Sequence, residues 1–292
     1  MQPQSSAGLS FIAWNGLQLK FPEEWDLRIG GHRNLIFEKE FQPQMQLRWE
    51  TGGHSTFSSA EKSLPTLIGQ FGTVMKAPPP AWRHLQQIFD HTTCYQGEHG
   101  AIGGGVCICP QCYKVISFQL LNSGPEVEAH TADCLASVSC HPDQQNLWRL
   151  QDFSLVTPPA FILTDYTFGA GLTRLSFRKD GLVLHTCKIA AADDRLRNQS
   201  LKEILLTLSD VEDLDITHYD DFVCQGYRRP SIPHQILLRM RRESPFIWGK
   251  IWHDSRNNRL LTVVLLAKRP IPEKTAAMIC ENYEIVIEKE NS

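Results

Sequence analysis

The residues with the clearest potential for chemistry are three cysteines in one short segment, Cys107-Ile-Cys109-Pro-Gln-Cys112. A Cys-Pro-x-Cys turn is a tight knuckle typical of metal sites, in which backbone amides can donate hydrogen bonds to thiolate sulfur. If Pro110 and Gln111 form a two-residue hairpin turn, the Cβ atoms of Cys109 and Cys112 lie opposite each other at about 5 Å. Cys107 lies two residues back and shares their face of the strand. We therefore predict three thiols at one hairpin tip.

The chain that must position these thiols repeats one order of elements. Residues 17–25 and 153–161 each predict a strand that ends in a proline turn and an aromatic residue. Two more strands, a helix, a strand, a hairpin and a final helix then follow in each half. The predicted helices and hairpins are 59–75, 106–121 and 126–139 in the first half, and 200–208, 252–267 and 273–282 in the second. This repetition predicts an internal duplication, with units at residues 1–143 and 144–292.

The duplication separates two groups of cysteines. Cys94 matches Cys224, and an offset of 146 residues places Cys134 on Cys280, which favours a role in the core for these four. The cysteines without a counterpart in the second half are Cys107, Cys109, Cys112 and Cys140. Four ligands complete a tetrahedral structural zinc site, and His141 is an alternative fourth ligand. Structural zinc is therefore one interpretation of the cluster, and the sequence predicts no other cofactor and no catalytic residue.

Two other interpretations of the cysteine cluster stay open. The thiols are inert if they are unpaired side chains on a partly buried hairpin. Alternatively, Cys109 and Cys112 form a redox dithiol. Redox motifs usually lie at a helix N-terminus, which lowers the pKa of the thiol, whereas this pair is predicted to lie in a hairpin.

Three structural motifs carry a resemblance to a known family. They are the opening strand that ends in Phe21-Pro-x-x-Trp25, the late hairpin Trp252-His-Asp-x5-Leu260 with its long apolar second strand, and the final helix. In this pattern both halves resemble the PsbP-like superfamily, which includes the photosystem lumenal subunit and the DcrB-type bacterial proteins. Phe161 replaces the tryptophan in the second half. The resemblance implies an α+β fold, with two tandem copies of an antiparallel sheet sandwiched by helices, and a non-enzymatic accessory or binding role.

Composition narrows the classes of partner. The formal charge of −3 and the pI of about 6.4 disfavour nucleic acid, and the basic run at residues 239–242 is more typical of a solvated surface. No stretch has the roughly 20 apolar residues that span a bilayer. Residues 1–10 have neither the basic nor the apolar region of a signal peptide. With nine cysteines read as free thiols or metal ligands, we expect a cytoplasmic protein without a membrane partner.

The sequence thus predicts a non-enzymatic protein-interaction or ligand-binding protein built from a duplicated unit. Because binding sites favour domain junctions, we expect a protein partner or a small ligand at the inter-unit groove. The alternatives are a structural zinc-binding scaffold and a thiol redox protein that uses Cys109 and Cys112.

Overall fold

The computed structural model describes residues 8–50, 72–79, 82–97, 102–141, 145–212 and 214–286. The chain divides into two compact units, Met1–Asp143 and Gln144–Ser292. The predicted helix 59–75 lies outside the described residues except at its end, where Thr73–Val74 forms a short strand instead.

Unit 1 combines a hairpin with a larger antiparallel sheet. The hairpin strands are β1 (Leu9–Trp14) and β2 (Leu17–Pro22). The sheet strands are β3 (Asp26–Gly31), β4 (Asn34–Lys39), β5 (Gln42–Trp49), β6 (Thr73–Val74), β7 (His91–Gln96), β8 (Ile102–Ile108) and β9 (Val115–Leu120). They lie in the order β3-β4-β5-β9-β8-β7-β6. The helices described in this unit are α1 (Leu85–Ile88) and α2 (Pro125–Ala136).

Unit 2 also combines an opening hairpin with a large antiparallel sheet. Its first strands are β10 (Asn146–Leu150) and β11 (Phe153–Thr157), and β19 (Tyr283–Ile285) pairs with β11. The sheet strands are β12 (Ile162–Gly169), β13 (Leu172–Lys179), β14 (Leu182–Ala190), β15 (Asp215–Tyr219), β16 (Val223–Arg228), β17 (Phe246–Asp254) and β18 (Arg259–Ala267). Their order, β12-β13-β14-β18-β17-β16-β15, is that of unit 1. The helices are α3 (Ala192–Leu196), α4 (Leu201–Ser209), α5 (Ile232–Met240) and α6 (Glu273–Glu281).

The predicted α+β class, an antiparallel sheet sandwiched by helices, is wrong. Strands make up 49% of the described residues and helices 20%, so each unit is closer to a β-sandwich. The reason lies in the opening hairpins, whose aromatic side chains cover one face of the large sheet. The ring of Phe21 lies 5.3 Å from that of Phe37 in unit 1, and the ring of Trp148 lies 4.8 Å from that of Phe177 in unit 2. Apolar side chains alternate along both hairpins. Each hairpin therefore packs on its large sheet as a second layer of strands, in the place where helices were expected.

A helix covers the opposite face of the unit 2 sheet. Leu201, Ile204 and Leu205 of α4 pack with Ile247 and Ile251 of β17 in one buried cluster. The predicted helix 200–208 is therefore confirmed, one residue displaced at each end. In neither unit is any helix of the described residues both long enough and apolar enough to cross a membrane.

Helix α4 begins with a capping box, and this sets a first prediction. Ser200 Oγ accepts from the backbone N–H of Glu203 at 3.2 Å, and the Glu203 carboxylate accepts from the backbone N–H of Ser200 at 2.7 Å. We expect Ser200→Ala to lower the free energy of unfolding of unit 2 by about 1 kcal/mol in denaturant titrations followed by circular dichroism. Ser200→Asp retains a cap and serves as the control, so an equal loss in both variants would contradict this role.

Candidate metal centre

The loop between β8 and β9 holds two of the four candidate ligands. Strand β8 ends at Ile108 and β9 begins at Val115, so the loop runs over residues 109–114. The Cys109 N–H donates to the Lys114 carbonyl at 3.1 Å, the Tyr113 N–H donates to the Cys109 carbonyl at 3.0 Å, and Tyr113 is left-handed with φ of 55°. The predicted two-residue turn at Pro110-Gln111 is therefore wrong. In this longer loop Cys109 and Cys112 lie outside the paired residues of β8 and β9, and both thiols belong to the same group of candidate ligands.

The chain after α2 delivers the other two ligands. Ser139 forms an isolated bridge with Gln18 of β2, with backbone hydrogen bonds of 2.8 Å in both directions. This bridge holds the next two residues, Cys140 and His141, beside the β8–β9 loop. The ligands therefore come from two segments that lie about 30 residues apart in sequence and are brought together by the hairpin β1–β2.

The ligand atoms of Cys109, Cys112, Cys140 and His141 all lie within 4.8 Å of one another, and the group can hold a metal ion. Cys112 Sγ lies 3.3 Å from Cys140 Sγ. The Nδ1 atom of His141 lies 3.5 Å from Cys109 Sγ and 3.7 Å from Cys140 Sγ. Cys109 and Cys140 are buried, Cys112 is half-buried, and His141 is exposed and closes the group toward solvent.

Two of these three separations agree with those of a tetrahedral zinc site. With Zn–S near 2.3 Å and Zn–N near 2.0–2.1 Å, a regular tetrahedron places sulfurs about 3.8 Å apart and sulfur about 3.6 Å from nitrogen. The two sulfur–nitrogen distances agree with that value to about 0.1 Å. The sulfur–sulfur pair is about 0.5 Å shorter than the ideal, so a bound ion would move Cys112 and Cys140 slightly apart.

The loop favours a thiolate at Cys109. Burial opposes ionisation, but the backbone N–H groups of Cys112 and Gln111 donate hydrogen bonds to the sulfur, and the thiols of Cys140 and Cys112 add to them. Their sum holds the pKa of Cys109 below its ordinary value. This is the amide-to-sulfur bonding expected of a Cys-Pro-x-Cys knuckle. Burial and the neighbouring thiols instead raise the pKa of Cys140, so a cation bound by this sulfur would displace a proton.

Lys114 contacts the backbone around the site. Nothing in the sequence had indicated a role for this residue. Its ammonium donates to the Cys140 carbonyl at 3.1 Å and to the Gly16 carbonyl in the β1–β2 turn. Lys114 therefore ties the cysteine loop, residues 139–141 and the opening hairpin together. Three thiolates and a neutral imidazole would carry one net negative charge around a divalent ion, and the Lys114 ammonium would balance it.

Cys107 is not part of this group, which corrects the predicted ligand set. It lies within β8, pairs with Ile116 and is fully buried in the sheet. Burial raises its pKa, and the neighbouring Thr92 side chain offsets only part of that rise. Cys109 lies beyond the last paired residue of β8, so strand alternation does not extend to it. His141, the alternative ligand, takes the fourth place.

The corresponding hairpin of unit 2 has a shorter loop. The pair of β17 and β18 next to the loop is Asp254 with Arg259, so four residues, Ser255–Asn258, form the loop. The loop of unit 1 is two residues longer and carries both cysteines. Elsewhere, Cys94, Cys134 and Cys224 are buried, and burial raises the pKa of each, as is typical of core thiols.

Comparison with known proteins adds little. No protein-family model matches the chain, and no curated protein matches it. The crystal structure of MucB is similar to it with a TM-score of 0.21 and 11% sequence identity, over 95% of this chain and 90% of that chain. A similarity at that level supports neither a shared fold nor a shared function, so the function rests on the residues themselves.

Proposed function

We propose that this chain is a non-enzymatic zinc-binding scaffold protein, in which one structural zinc ion fixes the β8–β9 loop of unit 1 to residues 139–141. The observation that carries this proposal is the convergence of four ligand atoms at distances suited to a tetrahedral ion. Four protein ligands leave no open coordination position, and such closed sites stabilise a fold. Free thiols also fit the proposed cytoplasmic, reducing compartment.

The redox alternative is less well supported. A dithiol needs only Cys109 and Cys112, and it gives no reason for Cys140 and His141 to converge on the same point. The amide hydrogen bonds to Cys109 suit a metal-bound thiolate as well as a reactive one. The four-membered group therefore favours metal over thiol–disulfide exchange.

Metal analysis of the full chain, purified under reducing conditions, tests this proposal. We expect inductively coupled plasma mass spectrometry to find about one zinc ion per chain. Replacement with Co²⁺ is expected to give sulfur-to-cobalt charge-transfer bands and the intense visible absorption of a tetrahedral site. Zinc well below one per chain after reconstitution, or an octahedral cobalt spectrum, would exclude the scaffold role.

The second candidate function is binding of a protein partner or a small ligand, and it stays a prediction. One observation favours the small ligand, namely a groove within unit 2 that is described below. The PsbP-like relationship and the internal duplication also stay proposals. The shared strand order of the two large sheets supports the duplication.

A further inference from the structure

A groove on the sheet of unit 2 combines aromatic rings with a lysine that forms no ion pair among the described residues. It lies on the face that the hairpin β10–β11 covers elsewhere, between strands β15–β17 and helix α6, and encloses about 720 Å³. That volume suits a small ligand. Its floor is formed by alternate residues of β17, Trp248, Lys250 and Trp252, all half-buried. Residues two apart on one face of a strand lie about 7 Å from each other, so the two rings flank the ammonium.

The neighbouring strand extends this surface. In the register of β16 and β17, Tyr227 pairs with Trp248, Gln225 with Lys250 and Val223 with Trp252. Tyr227 and Trp248 are therefore cross-strand neighbours on the face that lines the groove. Gln225 and Lys250 are the next such pair, so an amide side chain and an ammonium side chain start from adjacent positions on that face.

Two cations and two carboxylates line the groove, and the ion pair described among them joins only one of each. At the rim, Arg229 stacks on the Tyr227 ring at 4.7 Å and lies 3.5 Å from the Glu273 carboxylate, so these two charges balance. Lys250 lies 5.6 Å from the centre of the Trp252 ring and forms no ion pair within the part of the chain that the structure describes. Glu281 also lines the groove but forms no ion pair with Lys250, so the half-buried ammonium has no carboxylate in contact with it among the described residues.

The fold itself does not require these side chains. Cys94 pairs with Gly105 in unit 1, and Cys224 pairs with Ile251 in unit 2, which aligns β8 with β17. Lys250 and Trp252 then correspond to Gly104 and Val106. The same strand thus forms in unit 1 without a lysine or a tryptophan at these places.

We propose that this groove binds a small organic anion with a planar apolar body, of the aromatic carboxylate class. Its ring would stack on Trp248 and Tyr227 or on Trp252, and its carboxylate would accept from the Lys250 ammonium and the Gln225 amide. Aromatic cages also bind quaternary ammonium ions, but the central ammonium repels them.

Calorimetric titration of the zinc-loaded full chain tests the proposal, with 2-naphthoate as the probe. We expect saturable binding of one naphthoate per chain, and Lys250→Met to weaken it by about tenfold, since a charged hydrogen bond is lost. Lys250→Arg is expected to retain most of the affinity. The neutral isostere 2-naphthamide should bind the wild type and Lys250→Met equally, which also shows that the variant is folded.

The matched control is Lys179→Met. Lys179 is another lysine of unit 2 near an aromatic ring, 6.0 Å from the centre of Phe161, and it lies outside the groove. This variant should bind naphthoate as the wild type does. Three results would each overturn the proposal: no saturable binding of naphthoate, equal affinity in wild type and Lys250→Met, or tighter binding of a naphthyl trimethylammonium cation than of naphthoate.

Discussion

Cys112→Ala is expected to abolish stoichiometric zinc binding and to lower the free energy of unfolding of unit 1 by about 4 kcal/mol when free zinc exceeds the wild-type dissociation constant a thousandfold. The reason is that an ion bound only by the folded state stabilises it, and Cys112 supplies one of four ligands from the loop. The measurement is zinc content together with denaturant unfolding, with and without a chelator.

A chelator should bring the wild type to the stability of Cys112→Ala and leave the variant unchanged. Hydrogen exchange should then increase in residues 109–114 and 139–141, since the ion joins these two segments. The unit 2 transition should not move, because its described residues contribute no ligand to this group.

Cys107→Ala is the matched control for this experiment. Cys107 lies two residues before the first ligand, but it is buried in β8 and outside the ligand group. We expect this variant to keep its zinc and to lose only about 1 kcal/mol through the small cavity. Zinc loss in Cys107→Ala, or full zinc content in Cys112→Ala, would contradict the assignment of the ligands.

The second large effect is expected at Asp152, in the turn between β10 and β11. Its carboxylate accepts from the Lys188 ammonium and from Arg259 Nε at 3.0 Å. The Lys188 side chain is only 9% exposed, so Asp152→Asn leaves a nearly buried cation without its counter-ion. We expect a loss of about 2 kcal/mol in denaturant unfolding of unit 2, less than for a fully buried pair because Asp152 itself is 28% exposed.

Asp194→Asn is the comparison for Asp152. It removes the Asp194–Arg197 pair, whose side chains are 71% and 76% exposed. Exposed pairs contribute little, so the expected change is below about 0.5 kcal/mol. Equal effects of the two substitutions would show that burial of Lys188 does not matter.

The same carboxylate makes unit 2 sensitive to acid. Burial opposes its ionisation, but the bonds from Lys188 and Arg259 outweigh that and hold the pKa of Asp152 below its ordinary value. A lowered pKa in the folded state stabilises the protein above the unfolded pKa of about 3.9, and this stabilisation is lost as the pH falls through the folded value. Asp152→Asn should therefore flatten the acid limb of the stability profile, whereas Asp194→Asn should leave its slope unchanged.

The candidate site could be predicted from the sequence only in part. Spacing identified Cys109 and Cys112, and the missing counterpart in the second half identified Cys140. The error at Cys107 arose because strand alternation was extended past Ile108, where the pairing stops. Local pattern also gave no sign of the Gln18–Ser139 bridge or of Lys114, since both depend on contacts about 100 residues or more apart.

The fold, too, could be predicted from the sequence only in part. Alternation and proline turns predicted most of the central strands, and serine at a helix start predicted α4. They did not show that Trp148 packs on Phe177, and that contact decides between a second layer of strands and a layer of helices. The groove of unit 2 was missed although its signal was present, because Trp248, Lys250 and Trp252 alternate along β17.

In each unit the turn of the opening hairpin contacts the large sheet, but the interacting groups differ. In unit 1, Lys114 holds the Gly16 carbonyl beside a cluster of soft thiol ligands. In unit 2, Lys188 and Arg259 hold the Asp152 carboxylate through charged hydrogen bonds. We therefore expect chelators and oxidants to weaken the first of these contacts, and acid and salt to weaken the second, so two hairpin turns in one chain respond to different solution conditions.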